Sequence, residues 1–417
     1  MSYFCRFASR YAVSGRGGFA QTTILHFATQ KLLGGHDVID VNADAASRVD
    51  QSLACLSVRF PLEFDFSDPN ARSLVRKQIE HHMRLCTIAT SSLDSEVLFS
   101  TVGSEPLLAE AATKAMATVN TNPIQQLSNL IGKNFINHGE RGELVAAMLV
   151  MQARDILTTY EKSRRWVSVR DFMKCLLGDA ARTNLAFPSV AFSEEEHQPL
   201  ETVFKNARMW FNHVLKVRNT DLINVRYLWK FISRGAMILC ANNQRGVDIV
   251  LPVCYSGNVL SRREVTAILI QVKNDEAFGG KIHGHLFDAM DPFTINLFDE
   301  GSQPRPIIRM VFALASKTSV AKYVHVDPPK YKPGTFTAYD IWCAGTSSET
   351  FPVIGADASA YRGLLDRTRS RAQEYAVGAI HKVKYPEQVE KARISLLRNC
   401  NPLLEKGDAH QSFCQEA

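Results

Sequence analysis

The spacing of apolar residues divides the chain into a mainly helical first half and a strand-rich second half. In 71–86 (ARSLVRKQIEHHMRLC), Leu74, Ile79, Met83 and Leu85 form a helical stripe against a basic and polar face. Leu107, Leu108, Ala111 and Ala112 predict a short helix over 106–117. The stretch 140–160 is apolar on most sides after its first turn, which predicts a helix buried among other elements. A further helix is expected over 167–177, with Ser168 as its N-cap. The acids 194–196 then favour the start of a helix through its dipole. Val203, Phe204, Ala207, Trp210, Phe211, Val214 and Leu215 predict one helix over 200–217, its stripe and Trp210 in the core.

The period then changes. Three short apolar runs, 236–241, 247–253 and 265–273, are separated by turn-forming residues at 242–246 and 256–258. A fourth run covers 307–315 and a fifth 335–343, which places Trp342 in the core, with a Pro- and Lys-rich loop at 326–334 between them. Residues 358–376 read as a basic helix carrying Arg362, Arg367, Arg369 and Arg371. This order predicts an α/β fold, a central mixed sheet flanked by helices, preceded by a mainly helical region over 1–120. Residues 121–400 form the main domain, with a helical insertion at 160–235, and 401–417 a polar tail.

Composition narrows the function classes. The chain has 417 residues, 46% hydrophobic and 22% charged, as in a globular protein with a sizeable core. A net charge of +6 is compatible with a polyanionic partner and equally with a solvated surface. Nine scattered cysteines form no CxxC pair, which argues against a zinc knuckle and for a reducing, intracellular compartment, nucleus or cytoplasm. No signal-peptide pattern opens the chain, and no run approaches the ~18 apolar residues of a membrane span. The glycine-rich run 14–24 has Gln21 where a phosphate-cradling loop needs Lys, so it reads as the start of a helix. His81 and His82 are adjacent, cannot share a metal from one helix face, and are expected at the surface.

The candidate chemistry lies in the second and third apolar runs. Val265, Ala267, Leu269, Gln271 and Lys273 share one face of the third run, and Thr266, Ile268, Ile270 and Val272 the other. Both faces are apolar until one alone turns polar, delivering Gln271 and Lys273 to a single place. Asp248 enters the second run, where an unpaired carboxylate is costly unless a lysine or divalent cation meets it. Glu143, beside Gly142 at the start of the buried helix, can supply a second acid. Asp248, Glu143 and the Gln271 carbonyl oxygen would suit Mg²⁺ (or Mn²⁺), and Lys273 can orient water or stabilise developing charge.

The order Gly246-Val-Asp248-Ile-Val, followed by a strand closing in Ile270-Gln271-Val272-Lys273-Asn274, resembles the PD-(D/E)XK nuclease superfamily. It is most similar to the Mrr-like branch with a QxK strand end. More weakly, 140–350 resembles the nuclease-like module of Crinkler and retrotransposon-hot-spot-type proteins. The resemblance implies a restriction-endonuclease-like core, Mg²⁺ dependence and DNA hydrolysis. It makes Asp248, Gln271 and Glu143 metal-site residues and Lys273 the catalytic lysine. No Pro precedes Asp248, Gln271 carries no charge, and Glu140 competes with Glu143 as the helix acid. His283-Gly-His285-Leu-Phe-Asp288 has no second cluster to complete a metal site and reads as a loop near this pocket. Two functions therefore stand: a metal-dependent DNA endonuclease, and an inactive nuclease-fold module binding nucleic acid or a protein.

Overall fold

A computed structural model describes residues 18–366, apart from 40, 41, 43, 63, 65–68, 91–95, 119–122, 133–140, 161–165, 181–183, 218, 242, 243, 257–259, 280, 300 and 325–332. The start of the glycine-rich run, Glu140, most of the Pro- and Lys-rich loop, Arg367, Arg369, Arg371 and the polar tail lie outside these residues.

The N-terminal region is mainly helical: α1 (Gly18–Leu32), α2 (Ala45–Arg59) and α3 (Pro69–His81), a hairpin β1 (Leu85–Thr90) and β2 (Glu96–Thr101), then α4 (Pro106–Thr118) and α5 (Pro123–Gly132). Asp44 caps α2 by accepting from Ser47 N–H. Leu32, Leu33, Ala54, Cys55, Val58, Ala109, Ala112 and Met116 make a small core of their own. Leu53, Leu56, Phe60 and Val75 instead join the main core, so this region is packed onto the sheet.

The expected helix over 71–86 ends at His81. Met83 takes a left-handed φ of 59°. Arg84 is buried, donates to Leu62 O at 2.8 Å and lies over the Phe64 ring at 4.6 Å. That anchor ends the helix, and Leu85 begins a strand. His82 departs from its expected surface position as well. It is 7% exposed, and its Nδ1 lies 2.8 Å from Leu32 O.

The rest is an α/β unit around a nine-stranded mixed sheet. It begins with α6 (Arg141–Tyr160), a two-residue strand β3 (Val167–Ser168) and α7 (Val169–Leu177), whose N-cap Ser168 accepts from Asp171 N–H as expected. After a single turn α8 (Leu200–Val203) come β4 (Arg208–Met209), β5 (His213–Lys216), α9 (Val225–Ser233), β6 (Ala236–Leu239), β7 (Ile249–Cys254) and β8 (Val265–Lys273). A short α10 (Gly284–Asp288) precedes β9 (Ile307–Ala313), β10 (Val320–Val324) and β11 (Ala338–Ala344), and 358–366 are helical.

The strand order is β10-β11-β9-β8-β7-β4-β3, and β7 also pairs with β6, which pairs with β5. Strands β8, β9 and β11 run parallel, β7 and β10 are antiparallel to their neighbours, and β5 is parallel to β6. Alternation along the strands builds two cores. Ile249, Leu251, Ile268, Ile270, Met310, Phe312 and Ile341 face α6 and α7. Val250, Ala267, Leu269, Val311, Ala313 and Trp342 face α9 and α10.

The single helix expected over 200–217 is not formed, and the segment 160–235 is mixed rather than helical. The helix stops at Val203, and residues 209–214 are buried throughout. A segment with no solvent face yields apolar residues at helical and strand spacing alike. Its backbone is claimed by the sheet instead: Asn212 N–H donates to Gly235 O at 2.8 Å, and β5 runs beside β6.

Candidate active site

Asp248 precedes β7 at a bend. Its N–H donates to Ile270 O at 2.9 Å, while the ladder pairs Ile249 with Ile270. Two residues therefore sit against one, a bulge-like offset that turns the Asp248 side chain out of the regular alternation. Its Oδ2 accepts from Val272 N–H at 2.6 Å, and its carbonyl accepts from Cys240 N–H at 2.8 Å. The residue is thus tied to β8 through its N–H and carboxylate, and through its carbonyl to Cys240, just after β6. Gly246 makes the turn possible, since it has φ +82° and any Cβ there would overlap the Ala289 carbonyl oxygen.

Glu143 lies on the first turn of α6. A Cβ added to Gly142 would lie 3.2 Å from Asn274 Cβ, so the helix start sits directly on the residue following β8. Burial, and then the charge of Asp248, push the Glu143 pKa up to about 7. Burial also raises Asp248, opposed by the Val272 N–H and the Lys273 charge. Lys273 has its Nζ 5.7 Å from the centre of the Phe278 ring. Glu143, Asp248 and Lys273 therefore share one electrostatic neighbourhood.

Gln271 lies on the Lys273 face, in a row with Val311 and Trp342. It is 7% exposed, and its side-chain oxygen has no hydrogen-bond partner. No hydrogen bond joins that oxygen to the two carboxylates. Cys240 is a neighbour that the sequence reading did not include. Its thiol is pushed well above the ordinary range by burial and by both acids. A buried Cys in an apolar run looks like any small hydrophobe, and only the pairing of β6 with β7 places it here.

A second constellation joins the N-terminal region to β5. Ser104 Oγ lies 2.8 Å from His213 Nε2, and His213 Nδ1 lies 2.8 Å from Asn212 Oδ1. The Asn212 amide donates to Pro106 O and Glu110 Oε2, so its oxygen is the acceptor and the imidazole carries its proton on Nδ1. Arg234 Nε donates to Ser104 Oγ at 3.2 Å, and Arg59, whose Nε donates to Asn212 O, is ion-paired to Asp155 at 2.8 Å. The order of groups imitates a serine nucleophile with its base and orienting amide. Its electrostatics do not: burial, then Arg234 and Arg59, hold His213 down at about 3. An imidazole so averse to a second proton cannot take one from serine, and the network is a structural joint.

Among the described residues no three of His, Cys, Asp and Glu are grouped to hold a metal. His283 and His285 have ring centroids 5.7 Å apart but no third such ligand. Trp210 and Trp342 are 6% and 1% exposed, as expected of core residues. The described cysteines Cys55, Cys175, Cys240, Cys254 and Cys343 form no disulfide with one another. No helix among the described residues is long and apolar enough to cross a membrane.

Fold and site together define an α/β protein with a mixed sheet and two coupled acids beside a strand-end lysine. Residues 42–290 match the family described as Domain of unknown function (DUF8736), more than half of the chain, and the chain belongs to that family. No curated protein and no solved structure matches it. The matched span includes Glu143, Asp248, Gln271 and Lys273.

Proposed function

We propose that the chain is a metal-dependent phosphodiesterase, an endonuclease acting on DNA, built on a restriction-endonuclease-like core of the PD-(D/E)XK kind. The observation that carries the reading is the chain of charges in which Asp248 acts on Glu143 and Lys273 acts on Asp248, the three coming from distant parts of the sequence. Burial and the neighbouring Asp248 charge make Glu143 costly to ionise, a cost that a stability-driven arrangement would avoid. A hard cation would relieve that cost, and the donors present are oxygens, as Mg²⁺ or Mn²⁺ prefers. The unpartnered oxygen of Gln271, two residues before Lys273 on the same face, fits a third neutral ligand.

Asp248, Glu143 and Gln271 would hold the cation, which when bound supplies an acidified water and neutralises charge on phosphorus. Asp248 is held in place through Oδ2, leaving Oδ1 for the ligand. Lys273 sits at the strand end, where its ammonium can donate to a phosphate oxygen as charge builds there. Glu143, with a pKa near neutrality in the free protein, can hold or release a proton close to working pH. The test is cleavage of plasmid and linear DNA with Mg²⁺ or Mn²⁺ by the native chain, Asp248→Ala and Lys273→Ala. The expected result is cleavage by the native chain and a loss of roughly 100-fold or more in each variant. Equal cleavage by all three would refute the assignment. DNA binding without cleavage would favour the inactive module.

A further inference from the structure

The side of β8 that carries Lys273 also carries rings that the phosphodiester chemistry does not use. Below Lys273 lies Phe278, half-buried, and its ring centroid is 5.2 Å from that of His283. His283 in turn lies 5.7 Å from His285, which is exposed, and 5.7 Å from the buried Trp342. Trp342 shares its row across the sheet with Gln271. The rings thus begin beneath the ammonium, rest on the sheet through Trp342 and run outward to solvent at His285. Lys281, exposed, lies between Phe278 and His283 in the chain and adds positive charge along the same loop.

A metal does not explain the two histidines, since no third ligand joins them among the described residues. Packing explains His283, which is fixed between Phe278 and Trp342. It does not explain an exposed imidazole held edge-on to the inner one at an interplanar angle of 83°. Flat rings at graded depth beside a cation make up the surface on which unpaired bases stack while their backbone is neutralised. Paired bases present only edges and phosphates, and offer such rings no face.

We propose that Phe278, His283 and His285 form a stacking track for unpaired bases, so that the substrate enters Lys273 as a single strand. This rests on the phosphodiesterase reading for what happens at Lys273, but the binding itself does not require cleavage. The test is fluorescence anisotropy with a labelled 12-nucleotide DNA strand and with the same strand in a duplex. It uses the full chain in EDTA, beside Phe278→Leu and His285→Ala. The single strand is expected to bind the native chain roughly tenfold more tightly than the duplex. Each variant should lose roughly five- to tenfold of single-strand affinity, with duplex affinity unchanged. His285 is exposed, so its loss leaves the fold intact, and circular dichroism of Phe278→Leu checks the other variant. Equal binding of both forms, no binding, or unchanged affinity in both variants would overturn the proposal. Metal-dependent cleavage that needs Asp248 and Lys273, with no strand preference, would overturn it while the nuclease reading stands. Single-strand preference lost in the ring variants, with no cleavage, would support the track and refute the nuclease.

Discussion

Acidification should loosen the joint between the N-terminal helices and the sheet, because His213 is held neutral there. In the unfolded chain this imidazole titrates near 6.5, and in the folded chain its pKa falls to about 3. Between those values the unfolded state binds the extra proton and the folded state does not, so stability declines as pH falls. Above pH 6.5 the contribution is complete. At pH 5 the gap already open is 1.5 units, and at ~1.4 kcal/mol per unit this costs about 2 kcal/mol. His213 is 1% exposed, so solvent screening leaves that figure largely intact.

The perturbation pairs the pH change with His213→Gln, which removes the titrating group. Urea unfolding of both chains at pH 7.5 and 5.0 in EDTA gives a double difference in which the other titrating groups cancel. At pH 7.5 the variant should be weaker by roughly 1–3 kcal/mol, since Ser104 and Asn212 lose a buried partner. From pH 7.5 to 5.0 the native chain should lose about 2 kcal/mol more than the variant. Identical pH dependence in the two chains would refute the argument that the imidazole is kept neutral.

Three further outcomes follow from other parts of the molecule. Glu143 behaves oppositely to His213: its folded pKa, about 7, exceeds the ordinary 4.5, so its contribution falls as pH rises between those values. At pH 8 in EDTA, Glu143→Gln should therefore raise the urea midpoint, by about 2–3 kcal/mol in stability, while abolishing cleavage. The Arg309–Asp340 pair is bidentate at 2.6 and 2.7 Å and buried at both ends. Asp340→Ala should cost about 3–5 kcal/mol by stranding the guanidinium, and Arg309→Met with Asp340→Leu should recover most of that in the same assay. Gly246→Ala should lower the thermal midpoint and the Mg²⁺-dependent cleavage together, because the added methyl displaces either the Asp248 turn or the Ala289 carbonyl.

The legible parts of the chain are those where solvent marks one side of an element, or where a strand is apolar on both faces and bounded by turns. Strand β8 is expected and found over 265–273, and the long buried helix and the Ser168 cap are found where expected. Expectation failed where burial is complete or a distant anchor decides. In 200–217 the residues Asn212 and His213 are not a helix's polar face but members of a buried network reaching Ser104 and Glu110. At His81 the helix ends because Arg84 finds Leu62 O. The hairpin β1–β2 and the strand β10, each only five or six residues per strand, have no counterpart among the expected elements. At the site, the shared polar face of Gln271 and Lys273 was visible in a period of two. Glu143 is expected beside Asp248 from its place next to Gly142, but the seat of Gly142 on Asn274 depends on a tertiary contact that no local pattern shows.

Gly246 carries this dependence on distant residues one step further. The space a side chain would need at 246 is filled by the backbone of residue 289, directly after α10. Two stretches of chain with no shared chemistry are therefore tied by shape alone. In relatives of this protein, a bulkier residue at 246 should appear only alongside a changed length or path between 284 and 290. The two sites would drift together through the family, even where every acid and ring is kept.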